Sequence, residues 1–184
     1  MTVQHPGTVE ELCQERAPKV LALLLHYLLQ MLSCGKPGKE KAEARDEELV
    51  AAIVSLCQSP HCNIGLKVLL FSNLLLDLKM WSGCSYGLQK KLLSSLADMV
   101  FTEATVMRTT NAVRLLLDGC RRCYWLIHED DSVDKFAIRK LCRSAGELNA
   151  LVDEFMVIIK LLVGSSTGPA ASKDVRCLIH FMLD

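Results

Sequence analysis

Asn63-Ile64-Gly65-Leu66-Lys67-Val68-Leu69-Leu70-Phe71-Ser72-Asn73-Leu74-Leu75-Leu76-Asp77-Leu78-Lys79-Met80-Trp81 is the stretch on which the fold turns. A helix drawn through Ile64–Trp81 carries apolar residues on nearly every face, and Asn63 stands where an N-cap belongs. Such a helix must be covered by other helices on several sides. Lys67, Asn73, Asp77 and Lys79 interrupt the run, and charges at that density do not suit a bilayer core. The stretch predicts a central helix in a stack of helices.

The sequence on either side supplies the partners. Upstream, Thr8-Val9-Glu10-Glu11 reads as a capping box for a helix running to about Ser33, bent at Pro18 and stopped by Cys34-Gly35-Lys36-Pro37-Gly38. Lys39–Asp46 is a charged lead-in. Leu49, Val50, Ile53, Leu56 and Cys57 mark a second helix, ended by Ser59-Pro60. Downstream, Ser82-Gly83-Cys84-Ser85 is a turn, and Leu88, Leu92, Leu96, Met99 and Val100 line one face of a fourth helix. A fifth spans about Thr105–Ile127 on the stripe Val113, Leu117, Cys120, Tyr124, Ile127. His128–Asp131 is an acidic turn, and Phe136–Cys142 is compatible with a short helix. Ser144-Ala145-Gly146-Glu147 is a second capping box, opening an amphipathic helix through Leu148, Leu151, Val152, Phe155, Ile158, Ile159 and Leu162 to Gly164. After a small-residue linker, Ser165–Ala171, Ser172 caps a last helix whose apolar face holds Val175, Leu178, Ile179 and Met182. That stripe runs up to Asp184, so we expect a further helix of a longer chain to cover it.

Composition agrees with an all-α fold. Of 184 residues, 51% are hydrophobic and 23% charged, and no segment alternates apolar and polar residues as a half-buried strand does. Lys+Arg and Asp+Glu both number 21. A nucleic-acid binder gathers a basic excess on one face, whereas Lys90–Lys91, Arg121–Arg122 and Arg139–Lys140 are only pairs. Residues 1–8 have neither the basic nor the apolar region of a secretory signal. The 9 cysteines are odd in number and mostly embedded in leucine-rich helices, as expected of reduced thiols packed as small apolar side chains. The apolar run Val20–Leu32 is too short to span a bilayer and too poor in basic residues to lie on one.

Few residues invite a chemical reading. Cys120-Arg121-Arg122-Cys123 is the sharpest motif, since two thiolates three apart can share a zinc ion that Cys57, His61 and Cys62 would complete. Its mid-helix position and the absence of a second CxxC favour buried helical cysteine instead. No strand precedes it as in a redox CxxC. A Cys–His nucleophile has no spacing to support it, and no phosphate loop, dinucleotide loop or serine-nucleophile motif occurs. His26 and His180 sit in apolar runs and read as core histidines. Glu129-Asp130-Asp131 lacks the spaced ligands of a calcium loop. No enzyme, cofactor or resident metal is expected. The candidates for protein contact are Arg114, Arg121 and Arg122, together with the turn His128, Glu129, Asp130 and Asp131.

Leu78-Lys79-Met80-Trp81 through Phe101, Leu115-Leu116-Leu117-Asp118-Gly119-Cys120-Arg121-Arg122-Cys123-Tyr124-Trp125, Gly146–Glu154 and Asp174-Val175-Arg176-Cys177 together resemble the neurobeachin family of BEACH-domain proteins, towards its neurobeachin-like branch. The likeness covers Ile64 to the C-terminus. It implies the armadillo-like α-solenoid of stacked antiparallel helices that precedes the BEACH and WD40 domains, neither of which is in this sequence. It further implies a large cytosolic scaffold in vesicle trafficking, granule biogenesis or membrane-protein sorting, peripheral to endomembranes. Its partners would be the rest of the parent chain and other proteins, with membrane association only indirect. On this reading residues 1–45 form an N-terminal helix and charged linker without a match, and 46–184 form the armadillo-like repeat region, cut short at its C-terminal end.

Overall fold

The structure, a computed structural model, describes Gly7 and residues 40–124 and 144–183. The helix expected at 8–33, the turn at 128–131 and the short helix at 136–142 lie outside the described residues. Every element among the described residues is helical.

Helix α1 (Glu40–Gln58) begins inside the stretch expected to be a charged lead-in. Glu-Lys-Ala-Glu-Ala-Arg are strong helix formers, so the charged residues become its first turns. Val50, Ile53, Leu56 and Cys57 are its buried face, and it stops before Ser59-Pro60, as Pro60 requires.

The central stretch is buried as expected but is not one helix. Asn63 caps α2 (Ile64–Leu70), its side chain accepting the Leu66 N–H at 2.8 Å. The coil then widens into a π-turn at Phe71–Leu75 and breaks at Leu76 (φ −103°, ψ 8°). Asp77 caps the short α3 (Leu78–Trp81), accepting from the Met80 amide. The break has a use. Trp81 is fully buried, and its indole N–H needs an acceptor. The Leu74 carbonyl, freed from regular α-helical pairing, accepts it at 2.7 Å. Leu66, Leu70, Phe71, Leu74, Leu75, Leu76 and Leu78 are buried around it, whereas Ile64 is 70% exposed, so the apolar coat is not complete.

Ser85 caps α4 (Tyr86–Thr109), which continues through the point where two helices were expected to meet near Thr105. It is bent at Glu103 (φ −120°, ψ 19°), whose carboxylate turns inward to Lys67 Nζ at 2.6 Å. The reversal falls instead at Thr110-Asn111, with Asn111 in the left-handed region (φ 56°), a conformation asparagine tolerates better than most residues. Helix α5 (Ala112–Gly119) follows and opens into a second π-turn, Cys120–Tyr124. Its expected stripe is buried at Val113, Leu117, Cys120 and Tyr124. Ile127 lies outside the described residues.

Ser144 and Glu147 form the expected capping box of α6 (Ala145–Gly164), with Leu148, Leu151, Phe155, Ile158, Ile159 and Leu162 buried. The linker expected over Ser165–Ala171 is only three residues long, because α7 (Gly168–Leu183) starts ahead of Ser172. Gly168 (φ +60°) makes the turn, and Pro169 is pre-set for a first helical turn. Helix α4 packs against both α6 and α1, while α5 packs between α6 and α7. One apolar core runs continuously from Val50 of α1 to Leu162 of α6. The chain is an all-α stack, and α7 is its thinly covered edge.

Candidate interaction surface

Helix α7 owes its place to polar anchors more than to burial, since Cys177, Leu178 and Phe181 only partly reach the core. At its N-terminal end Arg108, from the last turn of α4, donates to the Leu162 carbonyl (3.0 Å), Ser165 Oγ (2.7 Å) and Ser166 Oγ (3.1 Å). Its guanidinium lies 3.7 Å from the buried Asp174 carboxylate, which also accepts from Ser166 Oγ at 2.6 Å. Lys173 adds a contact to Asn111 Oδ1. At the C-terminal end Arg121, from the second π-turn, donates to the Phe181 carbonyl at 2.8 Å and stacks 4.6 Å above the Phe181 ring.

Between these anchors α5 and α7 leave an open groove of about 470 Å³. Leu117, Cys177 and Phe181 are its apolar lining; Arg114, Asp118, Arg121 and His180 are its polar lining. Arg114 and Asp118 pair at 3.6 Å with side chains 73% and 46% exposed, an i,i+4 contact worth only a few tenths of a kcal/mol. On α7 the expected stripe is largely open to solvent: Val175, Ile179 and Met182 are exposed, as is Leu183 beyond them, while Leu178 is half-buried.

Two of the contact residues read from sequence thus meet at one groove, Arg114 and Arg121. Arg122 is exposed beside them. His128, Glu129, Asp130 and Asp131 lie outside the described residues. Sequence inspection missed Arg108, Asp174 and Ser166 because no local pattern marks them; Arg108 and Ser166 are 58 positions apart.

Five of the described cysteines are placed for packing. Cys57, Cys62, Cys84, Cys120 and Cys123 are buried and unbridged. Burial pushes the Cys57 thiol far up, and Cys62 and Glu103 nearby push the same way. Burial, then Cys123, pushes Cys120 to about 11. Both thiols hold their protons at neutral pH, the reverse of what an activated cysteine nucleophile shows. Among the described residues no three His, Cys, Asp or Glu converge to hold a metal ion, so Cys120 and Cys123 are not joined there by Cys57, His61 or Cys62. Tyr124 Oη instead donates to the buried Gln89 Oε1 at 2.6 Å, and Gln89 Nε2 donates to the Cys84 carbonyl at 2.7 Å. No described helix is long and apolar enough to cross a membrane.

A family model described as "Neurobeachin/BDCP, DUF4704 alpha solenoid region" matches residues 1–184. The match takes in residues 1–45, for which sequence inspection found no likeness. No solved structure matches the chain.

Proposed function

Because the chain belongs to the Neurobeachin/BDCP family as its α-solenoid region, we propose that it acts without chemistry of its own, as a protein-interaction segment of a large scaffold. One observation carries this reading. Cys57, Cys62, Cys84, Cys120 and Cys123 are taken up in the packing of the core, while α5 and α7 keep an open groove with charged side chains at hand. Stacked helices that bury one face and offer another are the means by which solenoids bind. The parent protein on this reading is cytosolic, peripheral to endomembranes, and serves vesicle trafficking, granule biogenesis or membrane-protein sorting. Its partners are other proteins and the remainder of its own chain.

Affinity purification from cytosol on the immobilised chain tests the reading. The wild-type chain should retain a stoichiometric protein at physiological salt, and the same chain unfolded before immobilisation should not. A chain that retains nothing above background, or that turns over a substrate with one selectively alkylated thiol, contradicts it.

A further inference from the structure

We infer that the α5–α7 groove takes an acidic protein segment that inserts an apolar side chain between Leu117 and Phe181 and sets its carboxylates on Arg114 and Arg121. The inference rests on the scaffold reading and adds the chemistry of the partner. Charge complementarity is the first ground. The whole chain is electrically balanced, yet α5, its π-turn and α7 hold Arg114, Arg121, Arg122, Lys173 and Arg176 against Asp118 and Asp174. Asp174 is buried and engaged by Arg108 and Ser166, which leaves Asp118 as the acidic group at the groove. At the groove itself Arg114 and Arg121 stand against Asp118, which leaves its described lining with a positive balance.

Geometry is the second ground. Arg121 is held by the Phe181 carbonyl and ring, so part of its guanidinium fork is set in place before any partner arrives; a pre-organised donor loses little freedom on binding. Among the described residues Arg114 pairs with the exposed Asp118, and an incoming carboxylate can displace that weak pairing. The groove, about 470 Å³, is in the range that encloses a side chain or two. A concave seat with one pre-set donor favours a peptide over a flat lipid surface.

Selection of a phage-displayed library of random dodecapeptides against the folded protein tests this. The expected result is enrichment of sequences that place Asp or Glu beside a large apolar residue, with binding that weakens as salt rises. Arg114→Glu combined with Arg121→Gln should weaken the selected peptides by at least about tenfold. Arg114→Glu alone, at an exposed position, gives the same direction if the double variant unfolds. Enrichment without acidic bias, no enrichment, or equal binding by the Arg114→Glu variant overturns the inference. So does sedimentation with phosphatidylserine vesicles in place of peptide binding, which would make a membrane the partner. A protein retained from cytosol regardless of Arg114 and Arg121 would sink this inference and leave the scaffold reading standing; no retained protein would sink the reading itself.

Discussion

Gly119→Ala probes a close approach between two helices of the stack. A Cβ at this position would lie 2.2 Å from Leu78 Cδ1, 3.0 Å from Cγ and 2.9 Å from Cβ, against about 3.5–4 Å for carbon atoms in contact. Rotation of the leucine can move Cδ1 and Cγ. Its Cβ moves only with the backbone, so α3 must shift away from α5. That shift is resisted, because Leu78 is 4% exposed and Trp81, a turn later, is pinned to the Leu74 carbonyl. Overpacking of this kind costs about 1–3 kcal/mol, and the absence of a purely side-chain escape places it near the upper end. Alanine's better helix propensity returns roughly 1 kcal/mol. The net loss is about 1–2 kcal/mol, or a Tm lower by about 2–8 °C for a chain of this size. Urea and thermal unfolding followed by circular dichroism read it directly. In a Leu78→Ala background, which costs about 2–5 kcal/mol alone, the penalty should shrink, since two of the three clashing atoms are gone. If Gly119→Ala raises stability by the full propensity gain, α3 and α5 do not touch as described.

Other expectations concern the buried polar contacts. Tyr124→Phe removes the donor to Gln89, which is 1% exposed, and should cost about 1–2 kcal/mol in urea unfolding; a neutral result would contradict a stabilising role for this contact. Arg108→Ala withdraws the guanidinium from Asp174 and three hydrogen-bond acceptors. We expect a loss of about 3 kcal/mol and faster amide exchange across residues 165–183. Cys120 titrates near 11 in the fold, against 9.0 for an ordinary thiol. A raised folded-state pKa contributes stability that is intact below the unfolded value and is lost as pH rises towards the folded one. Stability should therefore decline between about pH 9 and 11, less steeply in Cys120→Ala; an unchanged slope would refute the assignment.

Much of this fold is legible in sequence where the determinant is local. The Asn63 cap and the Ser144–Glu147 box each span one helical turn, and their hydrogen bonds form where the letters place them. The α6 stripe from Leu148 to Leu162 is buried because its spacing admits one inward face. Elements shaped by distant partners are not legible. The bend of α4 at Glu103 meets Lys67, 36 positions away, and the break at Leu76 serves an indole bonded to the Leu74 carbonyl, seven residues before it. The start of α7 at Gly168 depends on a positive φ that small residues permit but do not announce. The same holds for the surface. Arg114 and Arg121 could be marked as contact candidates from their charge, but the groove exists only because α7, anchored by Arg108, lies beside α5.

Hydrogen exchange of the purified chain, alone and saturated with the protein it retains from cytosol, is the most direct measurement of the scaffold claim. The buried stretches of α4 and α6 should be slow in both states, since they lie deep in the core. New protection on binding should fall on α5 and α7, residues 112–124 and 168–183, around Arg114, Arg121 and Phe181. Protection gained nowhere on the chain, or core segments that exchange as fast as the edge, would contradict a rigid helical stack that presents a binding face.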